Sequence, residues 1–435
     1  IVFGDWSSDV CSSDLNRLSS QPCRNTISKT VCSTMRTGIY LTSWLKMPMT
    51  PSDVTAAKQP VVKQDSVIQG DLKQNGVVIG MSGGVDSSVA SLLLKQQGFA
   101  VVGLYLITHD RGMEAASDAR AVCRRLGQEL IVVDERDSFR ESIVNGFVDA
   151  WLAGLTPNPC VRCNPEIKFK ALWDTADQYG YRHVATGHYA SVRRHPGSGR
   201  LALAKTDSGQ KDQTYFLYRL QQEQLARLIF PLAGLCKPEV RRMAADFGLE
   251  GEQGTALAEK PDSQDICFIP DQDYLGLLRD EINRRNLAGA RNLLEPGPIV
   301  DLKGQIIGEH KGLLAYTIGQ RKGFDVRTTE RLFVISRDLH TNTLVVGPFA
   351  QVLKQVIQVE SVVYSGIGQF AEGQRAMARV RSSAQPVSCR VYTNVDQSLT
   401  IRFDQPVSAP APGQSCVFYD EGMILAGGII AASVD

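Results

Sequence analysis

Val77-Val78-Ile79-Gly80-Met81-Ser82-Gly83-Gly84-Val85-Asp86-Ser87-Ser88 is the stretch whose reading decides the fold. Its apolar opening suits a buried strand. The Ser-Gly-Gly turn then passes directly into Val89-Ala90-Ser91-Leu92-Leu93-Leu94-Lys95, a helical pattern. A strand, a glycine-rich turn and a helix start together make an anion cradle. Glycines let the backbone curl and approach a ligand, while unpaired N–H groups and the helix dipole favour negative charge. The loop does not end in the Gly-Lys-Ser/Thr of a Walker loop, which disfavours an ordinary NTPase. The plainer alternative is a glycine turn with no ligand. Two glycines flanked by hydroxyls and an aspartate weigh against it.

Outward from that loop the chain alternates strand and helix patterns. Residues 101–106 read as a strand, 115–126 as a helix and 130–133 as a strand. Residues 137–154 and 165–179 read as helices, and His183-Val184-Ala185 as a short strand. This places the chain in the α/β class, with a parallel sheet covered by helices on both faces. Ligands of such sheets sit beyond the carboxyl ends of the strands, so the glycine loop, Leu106 and Thr186-Gly187-His188 should share one rim. Near residue 190 the character changes. A hairpin is expected around Pro196-Gly197-Ser198-Gly199, then helical stretches around 221–229 and 237–248. Short β-rich runs dominate from 355 onward and suggest a small barrel. Domain divisions are expected at 77–272, 273–350 and 351–435.

The composition is that of a globular protein, with 43% hydrophobic and 21% charged residues. At 435 residues the chain is long enough for two or three domains. No apolar run is long enough to span a bilayer, so no membrane association is expected. The net charge of +1 does not by itself announce nucleic-acid binding, which would need basic residues gathered on one face. Residues 16–46 hold five Lys or Arg and no acidic residue, a pattern open to an organellar transit peptide. We expect instead that 1–76 is a non-native or disordered leader, with translation starting at Met47 or Met49. The segment Trp6-Ser7-Ser8-Asp9-Val10-Cys11-Ser12-Ser13-Asp14-Leu15 resembles translated adapter sequence. A cytoplasmic location follows from that expectation.

Ten cysteines without a secretory signal point to reduced thiols. Two settings stand out. Thr156-Pro157-Asn158-Pro159-Cys160-Val161-Arg162-Cys163-Asn164 reads as an exposed loop restricted by its prolines, with Arg162 and Lys168 as cationic neighbours able to favour thiolates. Pro261-Asp262-Ser263-Gln264-Asp265-Ile266-Cys267-Phe268-Ile269-Pro270 places a third cysteine at an apolar exit. A structural zinc is the competing reading, but zinc usually takes four protein ligands and Cys160, Cys163 and Cys267 make three. Cys123, Cys236, Cys389 and Cys416 read as small core residues.

With the cysteine motifs in view, the chain resembles a known family. Ser82-Gly83-Gly84-Val85-Asp86-Ser87 is similar to the PP-loop of ATP pyrophosphatases, which cleave ATP between its α and β phosphates. The loop is followed in order by the Thr156–Asn164 motif, Glu166-Ile167-Lys168-Phe169-Lys170 and Ala185-Thr186-Gly187-His188-Tyr189. Lys211-Asp212-Gln213, the Cys267 motif and Thr317-Ile318-Gly319-Gln320-Arg321-Lys322-Gly323 come next. This ordered set resembles the tRNA-specific 2-thiouridylase family from about Val77 to the C-terminus.

The resemblance implies an adenine-nucleotide α-hydrolase-like domain, a small central domain and a C-terminal β-barrel. It also implies ATP-dependent thiolation of the wobble uridine in the tRNA anticodon region, with Mg2+, a persulfide donor and a sulfur-relay protein as partner. Cys267 would carry the persulfide and Cys163 would act as nucleophile or resolving thiol. Nucleotide contacts would come from Gly80, Met81, Ser82, Gly83, Gly84, Val85, Asp86, Ser87, Leu106 and Gly187. The target base would meet Asn158, Pro159 and Cys160. Further tRNA contacts would fall to His188, Lys211, Asp212, Gln213, Arg381, Ser382 and Gln414. Some relatives carry Asp where this chain has Cys160, and a [4Fe-4S] cluster on Cys160, Cys163 and Cys267 is the alternative use of that thiol.

Two other functions compete. Another PP-loop ligase or amidotransferase acting on a small molecule would leave Cys163 and Cys267 without a role. An RNA-binding or metal-scaffold protein with a merely regulatory nucleotide loop would release no pyrophosphate from ATP and tRNA.

Overall fold

The computed structural model describes residues 76–110, 112–206, 212–261, 266–269, 272–324, 326 and 330–431. Residues 1–75 of the expected leader, the Met47 or Met49 start, Lys211 and Asp262-Ser263-Gln264-Asp265 lie outside the described residues, and Gly76, expected as the leader's last residue, instead opens the first strand.

Strand β1 (Gly76–Gly80) is fully apolar up to its terminal glycine and nearly fully buried, as a central parallel strand must be. The chain turns into α1 (Val85–Gln96), whose residues from Val85 to Leu94 are all buried. Burial on every side makes it a core helix, and its polar residues Asp86, Ser87, Ser88 and Ser91 are buried with it. Then follow β2 (Ala100–Ile107), α2 (Gly112–Leu126) and β3 (Glu129–Asp134). After a helical region comes β4 (His183–Ala185), then the hairpin β5 (Ser191–Arg194) and β6 (Leu201–Ala204), and then β7 (Leu228–Ile229).

The first sheet runs β3-β2-β1-β4-β7, and all its pairings are parallel. Successive strands step outward from β1 to β3, and the chain then returns to place β4 on the other side of β1. The carboxyl ends of β1 and β4 therefore flank the point where strand order reverses, which is where such sheets open a crevice.

Six antiparallel strands close the C-terminal barrel. Leu353–Tyr364 pairs with both Leu399–Ser408 and Met423–Ile430, completing a ring with Val387–Thr393, Gln374–Arg379 and Ser415–Asp420. Cys389, Phe403, Cys416 and Phe418 fill its interior. The expected hairpin forms, and β6 extends the barrel sheet through the Met423–Ala204 pairing. Between parallel sheet and barrel in sequence, Gly297–Val300, Ile306–His310, Leu332–Asp338 and Thr343–Pro348 form a four-stranded sheet. Its core is shared with Phe147, Val148 and Trp151 of the helical run 136–152. No helix among the described residues is long and apolar enough to cross a membrane.

Three local expectations need correction. The cysteine motif is not an exposed loop: Pro159–Cys163 is helical, with Pro159, Cys160, Val161, Cys163 and Asn164 buried. Proline at the first helical position has no N–H to lose there, and Asn158 caps the helix by accepting from the Cys160 N–H at 3.2 Å. The following helix therefore begins well before residue 165. Pro165 falls near the start of a π-helical turn, Asn164–Phe169, the local irregularity at which this helix accommodates a proline. The second correction concerns 221–229, where only Gln222–Leu225 is helical and Leu228–Ile229 joins the parallel sheet as β7. Cys236 is the third, being half-buried at a helix N-terminus, where Glu239 accepts from its backbone N–H at 2.7 Å.

Candidate active site

The glycine loop shapes itself through its own hydroxyls. Ser87 Oγ accepts from the Ser82 N–H at 3.2 Å and donates to the Gly84 carbonyl at 3.1 Å, while Ser82 Oγ accepts from the Gly84 N–H at 3.3 Å. Gly83 has φ +71, a conformation suited to glycine. Gly84 caps α1 through its backbone alone, with no side chain bonded over the helix N-terminus. The N–H groups of the first turn of α1 lie where an anion would be held. Across the crevice Gly187 approaches so closely that a Cβ would stand 2.9 Å from the Asp86 carbonyl carbon and the Ser87 nitrogen. Only a bare backbone fits there.

Asp86 is buried and anchored by residues from distant segments. Its Oδ1 accepts from the Tyr189 hydroxyl at 2.8 Å and from Lys237 Nζ at 2.7 Å. Gln213 in turn accepts the Tyr189 N–H at 2.9 Å, fixing the backbone just after Gly187 and His188. His188 Nδ1 pairs with Thr186 Oγ1 at 2.9 Å, and the ring stacks on Phe169 at 6.2 Å.

A cavity of about 340 Å³ opens between these elements. Gly80, Met81, Ser82, Asp86, Ser87, Leu106, Gly187, His188 and Gln213 line it, together with Lys168 and Cys267. The expected rim is thus present at the strand-order reversal. Gly83, Gly84 and Val85 are not among the lining residues. The residues present suit an adenine nucleotide: an apolar wall of Leu104, Leu106 and Phe169 beside a loop of hydroxyls and backbone N–H groups.

Cys267 enters this cavity because its neighbour is anchored. Phe268 packs edge-on against Phe139 at 5.5 Å and Phe147 at 5.6 Å. Cys163 belongs to the same apolar cluster, with Phe139, Ile143, Val144 and Ile167, against which Cys267 packs. Burial pushes the Cys163 thiol up to about 12, raises Cys267, and raises Cys160 well above the ordinary thiol range. Lys168 opposes that shift at all three. Among the described residues no three His, Cys, Asp or Glu side chains group closely enough to hold a metal ion. A [4Fe-4S] cluster on Cys160, Cys163 and Cys267 would need all three as thiolates, the form that burial disfavours at each of them.

Among the remaining predicted site residues, Gln414, Asp212 and Arg381 tie the C-terminal barrel to other segments. Gln414 donates its side-chain amide to the Thr156 carbonyl at 2.9 Å. Asp212 accepts from Arg379 at 2.7 Å and from the Thr214 hydroxyl at 2.6 Å. Arg381 donates to the carbonyls of Ala409 at 2.7 Å and Ile318 at 3.1 Å, joining the barrel to the Thr317–Gly323 motif. Ser382 follows it, partly exposed at the barrel surface.

Comparison with known proteins decides the relationship. Residues 75–271 match the tRNA methyl transferase HUP domain, 290–348 the tRNA methyl transferase PRC-barrel domain and 354–430 the aminomethyltransferase beta-barrel domain. The tRNA-specific 2-thiouridylase MnmA of Clostridioides difficile (strain 630) is 39% identical over 369 residues, covering 82% of this chain and 98% of the relative. The chain belongs to the tRNA-specific 2-thiouridylase family. The relative from Salinibacter ruber (strain DSM 13855 / M31), of the same name, is 39% identical over 372 residues, 82% of this chain and 94% of its own length. Among solved structures, the NMN synthetase of Francisella tularensis is 20% identical with TM-score 0.29, covering 49% of this chain and 77% of its own. That likeness is too distant to bear on the site.

In this 2-thiouridylase family member, sequence reasoning missed Tyr189, Lys237 and Lys260 as groups around the loop. Tyr189 closes a motif that the sequence did offer. Lys237 and Lys260 carry no local signal beyond a lysine at the first position of a helix and a lysine before a proline.

Proposed function

We propose that this chain is an ATP-dependent tRNA sulfurtransferase that converts the wobble uridine to 2-thiouridine. The observation that carries this reading is the shared cavity, which residues of the phosphate loop and Cys267 line together. A small-molecule ligase would have no use for a thiol there.

The chemistry follows from the weak electrophilicity of a uracil C2 carbonyl. The C2 oxygen attacks the α-phosphorus of ATP and pyrophosphate leaves, with Mg2+ supplying charge neutralisation at the phosphates. The oxygen is now part of an AMP leaving group. The terminal sulfur of a Cys267 persulfide attacks C2, and AMP departs with that oxygen. The Cys163 thiolate then attacks the Cys267 sulfur of the resulting linkage, freeing the 2-thiouridine and leaving a Cys163–Cys267 disulfide. A cellular thiol reductant reopens the disulfide, and a sulfur-relay protein reloads Cys267. The shared apolar cluster of Cys163 and Cys267 supports their pairing in this sequence.

Asn158, Pro159 and Cys160 would meet the splayed base. His188, Lys211, Asp212, Gln213, Arg381, Ser382 and Gln414 would meet or support the surrounding tRNA. The cytoplasm is the proposed location.

The test is incubation of the full chain with unmodified tRNA, Mg-ATP and a persulfide donor, followed by nucleoside mass spectrometry. Formation of 2-thiouridine, absent with Cys267→Ser, is expected. Full activity of Cys267→Ser would favour the ligase reading, and no pyrophosphate release from the wild type would favour the scaffold reading.

A further inference from the structure

The segment from Gly80 to Ser88 contains no lysine or arginine, although a loop that holds a polyphosphate ordinarily has a cation at hand. The structure brings two from later in the chain to one short arc of the loop. Lys260 Nζ donates to the Gly83 carbonyl at 3.2 Å and to Asp118 Oδ2 at 2.7 Å. Lys237 Nζ donates to Asp86 Oδ1 at 2.7 Å. The two lysines arrive as a unit. Arg241, one turn beyond Lys237 on the helix Lys237–Asp246, donates to the Lys260 carbonyl at 3.0 Å. Val240 and Ala244 of that helix pack in the same core as Val89 and Leu93 of α1, so its position relative to the loop is set by apolar burial.

Lys237 is also placed against its own helix. A cation at a helix N-terminus opposes the dipole. Its side chain is only 16% exposed, so solvation does not offset this fully. The charges facing the pair are Asp86 and Asp118, which hold the two ammonium groups at the loop. A polyanion with more charge than a carboxylate competes for both.

We propose that Lys237 and Lys260 form the subsite for the β and γ phosphates of the nucleotide. There they supply the cationic charge that the loop lacks and stabilise pyrophosphate as it leaves. This rests on the reading of the loop as an ATP site. In the adenylation step the bond between the α-phosphorus and its bridging oxygen breaks, and the electron pair goes to pyrophosphate. Two lysines beside Gly83 and Asp86 meet that charge, whereas the nucleoside side of the site is built from Leu104, Leu106 and Phe169.

The test is equilibrium binding of inorganic pyrophosphate, AMP and ATP to the full chain and to Lys237→Met, Lys260→Met and the two Lys→Arg variants. Circular dichroism checks folding. Each Lys→Met change is expected to weaken pyrophosphate binding by about tenfold or more, the scale of a lost charged hydrogen bond, and AMP binding by less than about twofold. Lys→Arg should restore part of the loss. Folded Lys→Met variants that bind pyrophosphate as the wild type does, or lose AMP and pyrophosphate equally, would overturn the assignment while leaving the ATP site standing. A wild type that binds neither ATP nor pyrophosphate would overturn both.

Discussion

The Gln414 side-chain amide meets the Thr156 carbonyl at 2.9 Å, tying the C-terminal barrel to the turn that leads into the Cys160–Cys163 helix. The Thr156 N–H donates to the Pro412 carbonyl at 2.8 Å beside it, so the turn is held by two bonds from one barrel loop. Gln414 thus acts on the cysteines through the backbone that presents them. Gln414→Ala should destabilise the protein by about 1 kcal/mol in denaturant unfolding, the worth of one ordinary hydrogen bond. It should also lower thiolation at saturating tRNA. An effect confined to the apparent tRNA affinity would instead make Gln414 a direct contact.

Gly187→Ala should abolish nucleotide binding more than it harms folding. The added methyl would meet backbone at 2.9 Å in the first turn of α1, where no flexible side chain can move aside. We expect ATP affinity to fall by at least about tenfold in calorimetric titration, from loss of phosphate contacts worth about 1.5–3 kcal/mol. Unchanged ATP binding would place the phosphates elsewhere.

Asp212→Ala is expected to be a folding lesion first. Its carboxylate pairs with Arg379, whose side chain is 12% exposed against 16% for Asp212. Removing it strands a largely buried guanidinium, at a cost of about 3 kcal/mol. The double change Asp212→Ala with Arg379→Met should recover part of the loss in thermal melting. No recovery would show that Arg379 is solvated without its partner.

The cysteine thiols give a pH dependence with a definite sign. A thiol whose pKa is higher in the folded chain than in the unfolded one stabilises the fold at low pH. That contribution is full below the unfolded value of about 8.5 and is lost as pH rises. Cys163, pushed by burial up to about 12, spans the interval from there to about 12. Melting temperatures measured from neutral to strongly alkaline pH should fall more steeply for the wild type than for Cys163→Ala. Parallel curves would mean that Cys163 titrates normally. Lys168→Met removes the cation opposing this shift and should slow alkylation of the folded chain by iodoacetamide.

Much of this was legible in the sequence because it is local. The strand, loop and helix around Ser82 are adjacent in the chain, and short strands with turn residues between them already indicated a barrel. The Thr156–Asn164 segment was misread for an instructive reason. Prolines at 157 and 159 signal a loop, yet Asn158 followed by Pro159 is also a helix start, and only burial against the Phe139 cluster decides between them. The Asp86 contacts were not legible. Tyr189 and Lys237 reach it across 103 and 151 residues, and no periodicity links such positions.

In the proposed reaction the C2 oxygen of uridine leaves as part of AMP. Single-turnover thiolation of tRNA carrying a heavy-oxygen isotope at uridine C2, with mass spectrometry of the released nucleotide, tests it directly. AMP should carry the heavy isotope, in step with 2-thiouridine. Unlabelled AMP, or ADP in its place, would contradict it.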